Sequence, residues 1–409
     1  MTVLAFDWNA TRVRAVMGRA GETPLPMPLE PPSLELPLAI GLDKRSAEVG
    51  AAVLGRCRSA ARQTCTSFLP HLGAAKRWQA GRHSLDAQAA CDLVWRRLQP
   101  LASSARMVVL TVPGYFDPGQ AETLRKLGEK ARLPALGSLS VLLAAALAGH
   151  AEQFWQRSVL VIDADDHALT LGWVTGLADR AQLIESRSFT QLGVRAWKER
   201  LIDGLADRFI RVQRRDPRDV PSAEQSIFDQ LDALALAALT HRPMQLGVNG
   251  EQWFAHLLVQ PEQTVHFCRG LAQQAAQEAA QLLACWPASE LPPAILLTHQ
   301  ASRLPGLIDA LQPLLVEPVS SSSETILPPT KVTGIEEEDF GEDLLNAETP
   351  PRHVMVLTPE APARAAHALA PLFRNGALPA GHLERIVPLA GRASDGFGTP
   401  SLARPANQG

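Results

Sequence analysis

An apolar run that ends on an aspartate occurs twice in this chain, and each time a short turn leads into a second apolar run. The first copy is VLAFDW, carrying Asp7, followed by the turn Asn9-Ala10-Thr11 and then VRAVMG. The second is SVLVIDADD, carrying Asp163, followed by LTLGWVTG. Runs of this length and composition read as buried strands with hairpin partners. The aspartates stand about 156 residues apart, which predicts a duplicated α/β unit with a ligand site between the halves. The expected division is 1–155 and 156–390.

Between the two copies, PLPMPLEPPSLELP is too rich in proline for a helix or central strand and reads as a loop with extended pieces. SLDAQAACDLVWRRLQPLA has helical spacing and feeds the apolar run MVVLTVP. Asp117-Pro118 has the form of a helix cap and first turn, and SLSVLLAAALAGH reads as a second, very apolar helix. The second half should hold helices over Ala196 to Arg211, SAEQSIFDQLDALALAALT and TVHFCRGLAQQAAQEAAQLLACW, then a strand, loop and helix in AILLTHQASRLPGLIDAL, with strand and helix resuming in HVMVLTPEAPARAAHALAPLF. Residues 320–350 carry an acidic cluster from Glu336 to Asp343 and read as an exposed loop, and 391–409 reads as a disordered tail.

Composition narrows the function. At 409 residues with 46% hydrophobic and 20% charged, the chain can bury one or two cores, and a formal charge of −3 offers no broad field for a nucleic-acid backbone. Five cysteines form no C-x-x-C pair, the N-terminus does not resemble a secretory signal, and LSVLLAAALAG is too short to span a bilayer. A cytoplasmic location is expected, with no membrane and no nucleic-acid partner. Gly-x-Ser-x-Gly and Walker-type loops are absent, and the histidines lack metal-ligand spacing.

VVLTVPGYFDPGQAETLRKLGEKARLPALGSLSVLLAAALAG resembles the segment of the 70-kDa heat-shock (DnaK-like) chaperones that runs from ITVPAYFNDSQR to EPTAAALAYG. Other blocks follow in that family's order: AFDWNATR resembles its first phosphate loop, GAAKRW its AKRLIG segment, VIDADDHALT its second phosphate loop, and LLTHQASRLPGL its adenosine loop. The resemblance covers about residues 2–315, and more weakly to 370, and implies an actin-like ATPase fold, two lobes around a central cleft. That family's separate peptide-binding domain is not expected within this sequence, so client binding in its usual groove is not implied.

The resemblance assigns catalytic positions to Asp7, Lys76 and Asp163, with Asp7 and Asp163 also on the metal side of an ATP/ADP·Mg²⁺ site. It assigns nucleotide contacts to Asn9, Thr11, Asp165, Thr240, Ser302 and Arg303. Several positions depart from the pattern. Trp8 and Ala10 alter the first phosphate loop, and Ala164-Asp165-Asp166-His167 replaces a glycine run whose backbone would cradle phosphate. The added acids would bring negative charge toward the phosphates. Thr170 and Val141 stand for acids, His299-Gln300 for a Gly-Gly pair, and ALALAALT for a charged helix. These losses favour a degenerate ATPase kept as a regulatory or protein-interaction module with another protein as partner. The alternative is a Mg-dependent, ATP-hydrolysing chaperone-like protein.

Overall fold

The computed structural model describes residues 1–42, 47–80, 83–102, 104–286, 294–315, 353–379 and 383–389. Both aspartate-bearing runs are strands, Thr2–Trp8 and Ser158–Ala164. Each is flanked in the same way. Thr2–Trp8 pairs antiparallel with Arg12–Arg19 on one side and parallel with Met107–Val112 on the other, and Ala135–Ser140 adds a further parallel strand. Ser158–Ala164 pairs antiparallel with Leu169–Leu177 and parallel with Ala294–Leu297, which His353–Val356 extends in parallel. The repeat seen in sequence is thus a repeat of sheet topology, built from a hairpin and parallel neighbours that need crossover helices.

The segment after residue 353 serves both sheets. Leu383–Glu384 adds an edge strand beside Ala135–Ser140, whereas Ile386–Pro388 pairs with Arg180–Phe189 in the second sheet. Between the sheets lie the helices Val141–Ala151 and Ala361–Arg374, packed on each other. The first is apolar all round because it meets the second sheet on one side and its neighbouring helix on the other. One core cluster accordingly runs from Val3 and Val109 through Leu142 and Ala366 to Val161. Gly137 sits where a Cβ would come within 2.3 Å of the Phe373 ring, so the absence of a side chain is what lets helix Ala361–Arg374 reach the first sheet.

Helices Ala87–Leu98 and Pro118–Lys130 cover the outer face of the first sheet around Trp8, Trp95 and Leu124. Asp117 caps the second of these in a reciprocal capping box with Gln120. Helices Val194–Gln213, Pro221–Phe228, Leu231–Leu239 and Pro261–Ala284 cover the second sheet. A two-stranded hairpin, Met244–Asn249 with Phe254–Val259, completes that layer. Where strand, loop and helix are expected around residue 300, the structure forms a one-turn helix, His299–Ser302, before Leu307–Leu311. Among the described residues no helix is long and apolar enough to cross a membrane, and all five cysteines are free thiols. The acidic cluster and the tail lie outside the described residues.

Candidate functional site

The turns that follow the two aspartate strands are hydrogen-bonded directly to each other. The Ala10 N–H donates to Asp165 Oδ2 at 2.8 Å, and the Asp166 N–H donates to Thr11 Oγ1 at 3.0 Å. Asn9 shapes the first turn by accepting from the N–H groups of Thr11 and Arg12 at 2.9 and 2.8 Å. Asp165, 1% exposed, also accepts the Tyr115 hydroxyl at 2.7 Å on Oδ2, and the N–H groups of His167 and Ala168 at 2.9 and 3.0 Å on Oδ1. Its carboxyl therefore meets four donors, two on each oxygen. Burial raises its pKa, and those donors pull it part of the way back. The Asp165 side chain is thus turned onto backbone N–H groups of its own chain and the Tyr115 hydroxyl.

Asp7 and Asp163 occupy matching places at their strand ends, and each is held by a threonine from the parallel side. Thr111 donates to Asp7 Oδ1 at 2.6 Å and Thr298 to Asp163 Oδ1 at 2.8 Å. Burial raises both pKa values, Asp163 to about 7 with Asp165 adding to the effect. Trp8 does not enter the space between the turns: it is fully buried on the first sheet's outer face, its ring centroid 4.7 Å from that of Trp95. His167 packs its ring 4.8 Å from Tyr115 and 6.4 Å from His71. Lys76 is exposed, with Nζ 2.9 Å from His71 Nε2 and 5.1 Å from the Trp78 ring centroid. Its contacts are to this aromatic group and not to either aspartate.

Of the remaining predicted contact residues, Ser302 and Arg303 stand in and just after the turn at residue 300, and Thr240 stands at the end of helix Leu231–Leu239; each donates to a carbonyl of its own chain. Ser302 Oγ donates to the His299 carbonyl at 2.9 Å, Arg303 to the Asp232 carbonyl at 2.9 Å, and Thr240 Oγ1 to the Leu236 carbonyl at 2.9 Å. The crevice bounded by Asp232, Gln300, Arg303 and Leu304 has a volume of about 20 Å³, enough for a single water. Gln300 accepts from Arg12 at 2.8 Å. Arg12 and Arg14 both pair with Glu35, and Arg14 also reaches the Pro359 carbonyl at 3.1 Å. Burial would raise the Glu35 pKa, but Arg12 and Arg14 outweigh it and hold the carboxyl below its usual range. His299, facing this cluster, has its pKa pushed down to about 4 by burial and then by Arg14 and Arg303.

A wider cleft of about 320 Å³ lies nearby, bordered by Arg58, Trp78, Asp166, Arg195, Lys198 and Phe228. Arg58 crosses it, pairing with Glu199 and, at 3.1 Å, with Glu224, and lying 4.9 Å from the Phe228 ring centroid. Gln225, 5% exposed, accepts from the Arg58 N–H at 2.6 Å and donates to the Leu54 carbonyl at 3.3 Å. Among the described residues, no group of three or more His, Cys, Asp or Glu side chains is placed to hold a metal ion.

Sequence reasoning passed over Tyr115, Thr111, Thr298, Arg12, Arg14, Glu35 and Gln225. Some left a signal: Tyr115 is the chain's single tyrosine, and Arg12 and Arg14 alternate with apolar residues in a strand that is buried from Arg12 to Val16.

No family model matches the chain. It is 32% identical over 146 residues to the chaperone protein DnaK of Deinococcus proteolyticus, an alignment spanning 36% of this chain and 23% of that one. The DnaK of Deinococcus radiodurans is 33% identical over the same shares, and the chaperone protein dnaK3 of a Synechocystis species is 30% identical over 29% of this chain and 15% of its own. The chain thus spans less than a quarter of the length of these curated relatives. Over part of its length it is homologous to the DnaK/Hsp70 chaperones, at the distance of a remote relationship. Its mixed α/β architecture is compatible with the superfamily that joins those chaperones to actin-like ATPases.

Proposed function

We propose that this chain is an Hsp70-like, actin-fold scaffold of two lobes whose nucleotide seat is filled by its own Asp165, and that it acts through protein partners without turning over ATP. The observation that carries the reading is the four-donor coordination of the Asp165 carboxyl. Backbone N–H groups in such turns are the donors an anionic phosphate would use, and here three of them point at a carboxylate fixed in the chain. A nucleotide phosphate would have to displace it. The crevice at Gln300 and Arg303 supports the same view, since about 20 Å³ is far below the ~300 Å³ at which ligand pockets begin. ATP·Mg²⁺ does not fit these residues as they stand, so no catalytic step is assigned to Asp7, Lys76 or Asp163. In this reading the two aspartates are buried strand-end acids tied to threonines.

A second reading, a Mg-dependent ATPase, draws on the matching placement of Asp7 and Asp163 and on the cationic 320 Å³ cleft. Thermal unfolding with and without ATP or ADP plus Mg²⁺ separates the two. A ligand present at 100 times its Kd stabilises the folded state by about 2.7 kcal/mol, which moves Tm by several degrees. The scaffold reading expects no shift with either nucleotide; a saturable rise would favour the ATPase.

A further inference from the structure

We infer that the groove between helices Val194–Gln213 and Pro261–Ala284 is a docking surface for an acidic peptide segment of a partner protein. The groove has a volume of about 630 Å³ and shares no lining residue with the cleft at Arg58. Arg200, Arg208 and Arg211 follow one another at helical spacing along one wall, and Arg269 faces them from the other helix. Three of these arginines, Arg200, Arg211 and Arg269, are exposed, and among the described residues none of the three has a carboxylate within ion-pairing distance; Arg208 is half-buried and donates to Gln263.

Acids do stand on the same wall, but they are occupied elsewhere. Asp203 pairs with Arg218 at 3.1 Å and Asp207 with the same guanidinium at 3.9 Å, but Asp216 holds that guanidinium more closely, at 2.8 Å, so the charge of the two acids is drawn only partly away from the arginine row, whose four guanidiniums still outnumber the groove's three acids, Asp203, Asp207 and Glu262. The result is a row of guanidinium groups suited to bidentate pairing with carboxylates. At the centre, Gly204 allows Phe267 to lie against the opposing helix, where a Cβ would come within 2.5 Å of its ring. An apolar side chain of the partner can rest on that ring between its acidic residues. A nucleic-acid backbone suits the groove less well, because Glu262 stands on its rim and a continuous row of phosphates could not avoid it.

The surface is tested by fluorescence anisotropy, using the full chain and a fluorescein-labelled synthetic peptide of glutamates around one leucine. Saturable binding that weakens with added salt is expected, together with none to the same peptide carrying lysines. R200E combined with R211E, and separately R269E, should each weaken binding by about tenfold or more. These side chains are exposed, and unchanged circular dichroism would show the variants folded. R218A, which leaves Asp203, Asp207 and Asp216 without their shared guanidinium, should weaken it several-fold without touching the arginine row. Failure of the acidic peptide to bind folded protein, or full affinity in the arginine variants, would overturn the inference. So would single-stranded DNA binding through the same arginines more tightly than the peptide. None of these outcomes depends on whether the chain binds nucleotide.

Discussion

Asp165 is a carboxyl surrounded by donors, and the cost of removing it can be set against that of its neighbour. Asp165→Ala strands the N–H groups of Ala10, His167 and Ala168 and the Tyr115 hydroxyl in a buried place. At about 1–3 kcal/mol for each unsatisfied group, reduced where water enters, the loss should total roughly 3–5 kcal/mol in urea unfolding. Asp166→Ala should cost under about 1 kcal/mol, since one of its carboxyl oxygens is buried without a partner and its useful contact is through the backbone. Equal losses would contradict the assignment.

Asp163 has a pH signature. Its folded pKa, about 7, lies above the ~3.9 of an unfolded aspartate. The folded state therefore holds a proton that the unfolded chain releases, and this contribution is complete below about pH 4 and lost as pH rises toward 7. His299 acts in the opposite sense, because burial, with Arg14 and Arg303, keeps it neutral down to about pH 4 while the unfolded chain takes up a proton near 6.5. Asp163→Asn isolates the first effect. Relative to the native chain, it should gain stability between pH 4 and 8, by roughly 4 kcal/mol at most. A difference that does not vary with pH would contradict the assignment. Both aspartates were legible in sequence because each interrupts an apolar run. Thr111 and Thr298 were not, because their partners lie more than a hundred residues away and only strand pairing brings them together.

Gln225 links elements that the sequence keeps far apart. It sits in helix Pro221–Phe228 yet bonds to Leu54 and Arg58, so the segment following Gly50 and this helix open together or not at all. Gln225→Leu keeps the side chain's bulk and removes these bonds, along with those it makes to the Ser59 N–H and to Asp229. Amide exchange should accelerate in residues 51–60 and 221–228 together, corresponding to a local loss of about 1–3 kcal/mol; acceleration confined to one of the two would contradict the linkage. The helix itself was readable from its apolar spacing, whereas its docking was not, since glutamine looks the same whether it faces water or a backbone carbonyl. The hairpin Met244–Asn249 with Phe254–Val259 went unread although Asn249-Gly250 is a turn signal. Its strands are half polar and too short to declare a period.

Across the whole molecule, two sheets of the same plan are joined through two helices, and the chain returns after residue 353 to serve both. The duplication was visible in two aspartate runs, but the return was not, because Ala361–Arg374 reads equally well as a cover for either sheet. Gly137 makes the joint testable. Gly137→Ala should destabilise the protein by about 1–3 kcal/mol through overpacking against Phe373, and Phe373→Leu in the same chain should recover part of it in denaturant unfolding; a neutral G137A would contradict the close approach. The central claim is that the place where an anion would enter is already taken by Asp165. It is tested most directly by calorimetric titration of the folded chain with ADP and with ATP, each with Mg²⁺, at a protein concentration suited to micromolar affinities. The account predicts no binding heat beyond dilution; a one-site isotherm would contradict it.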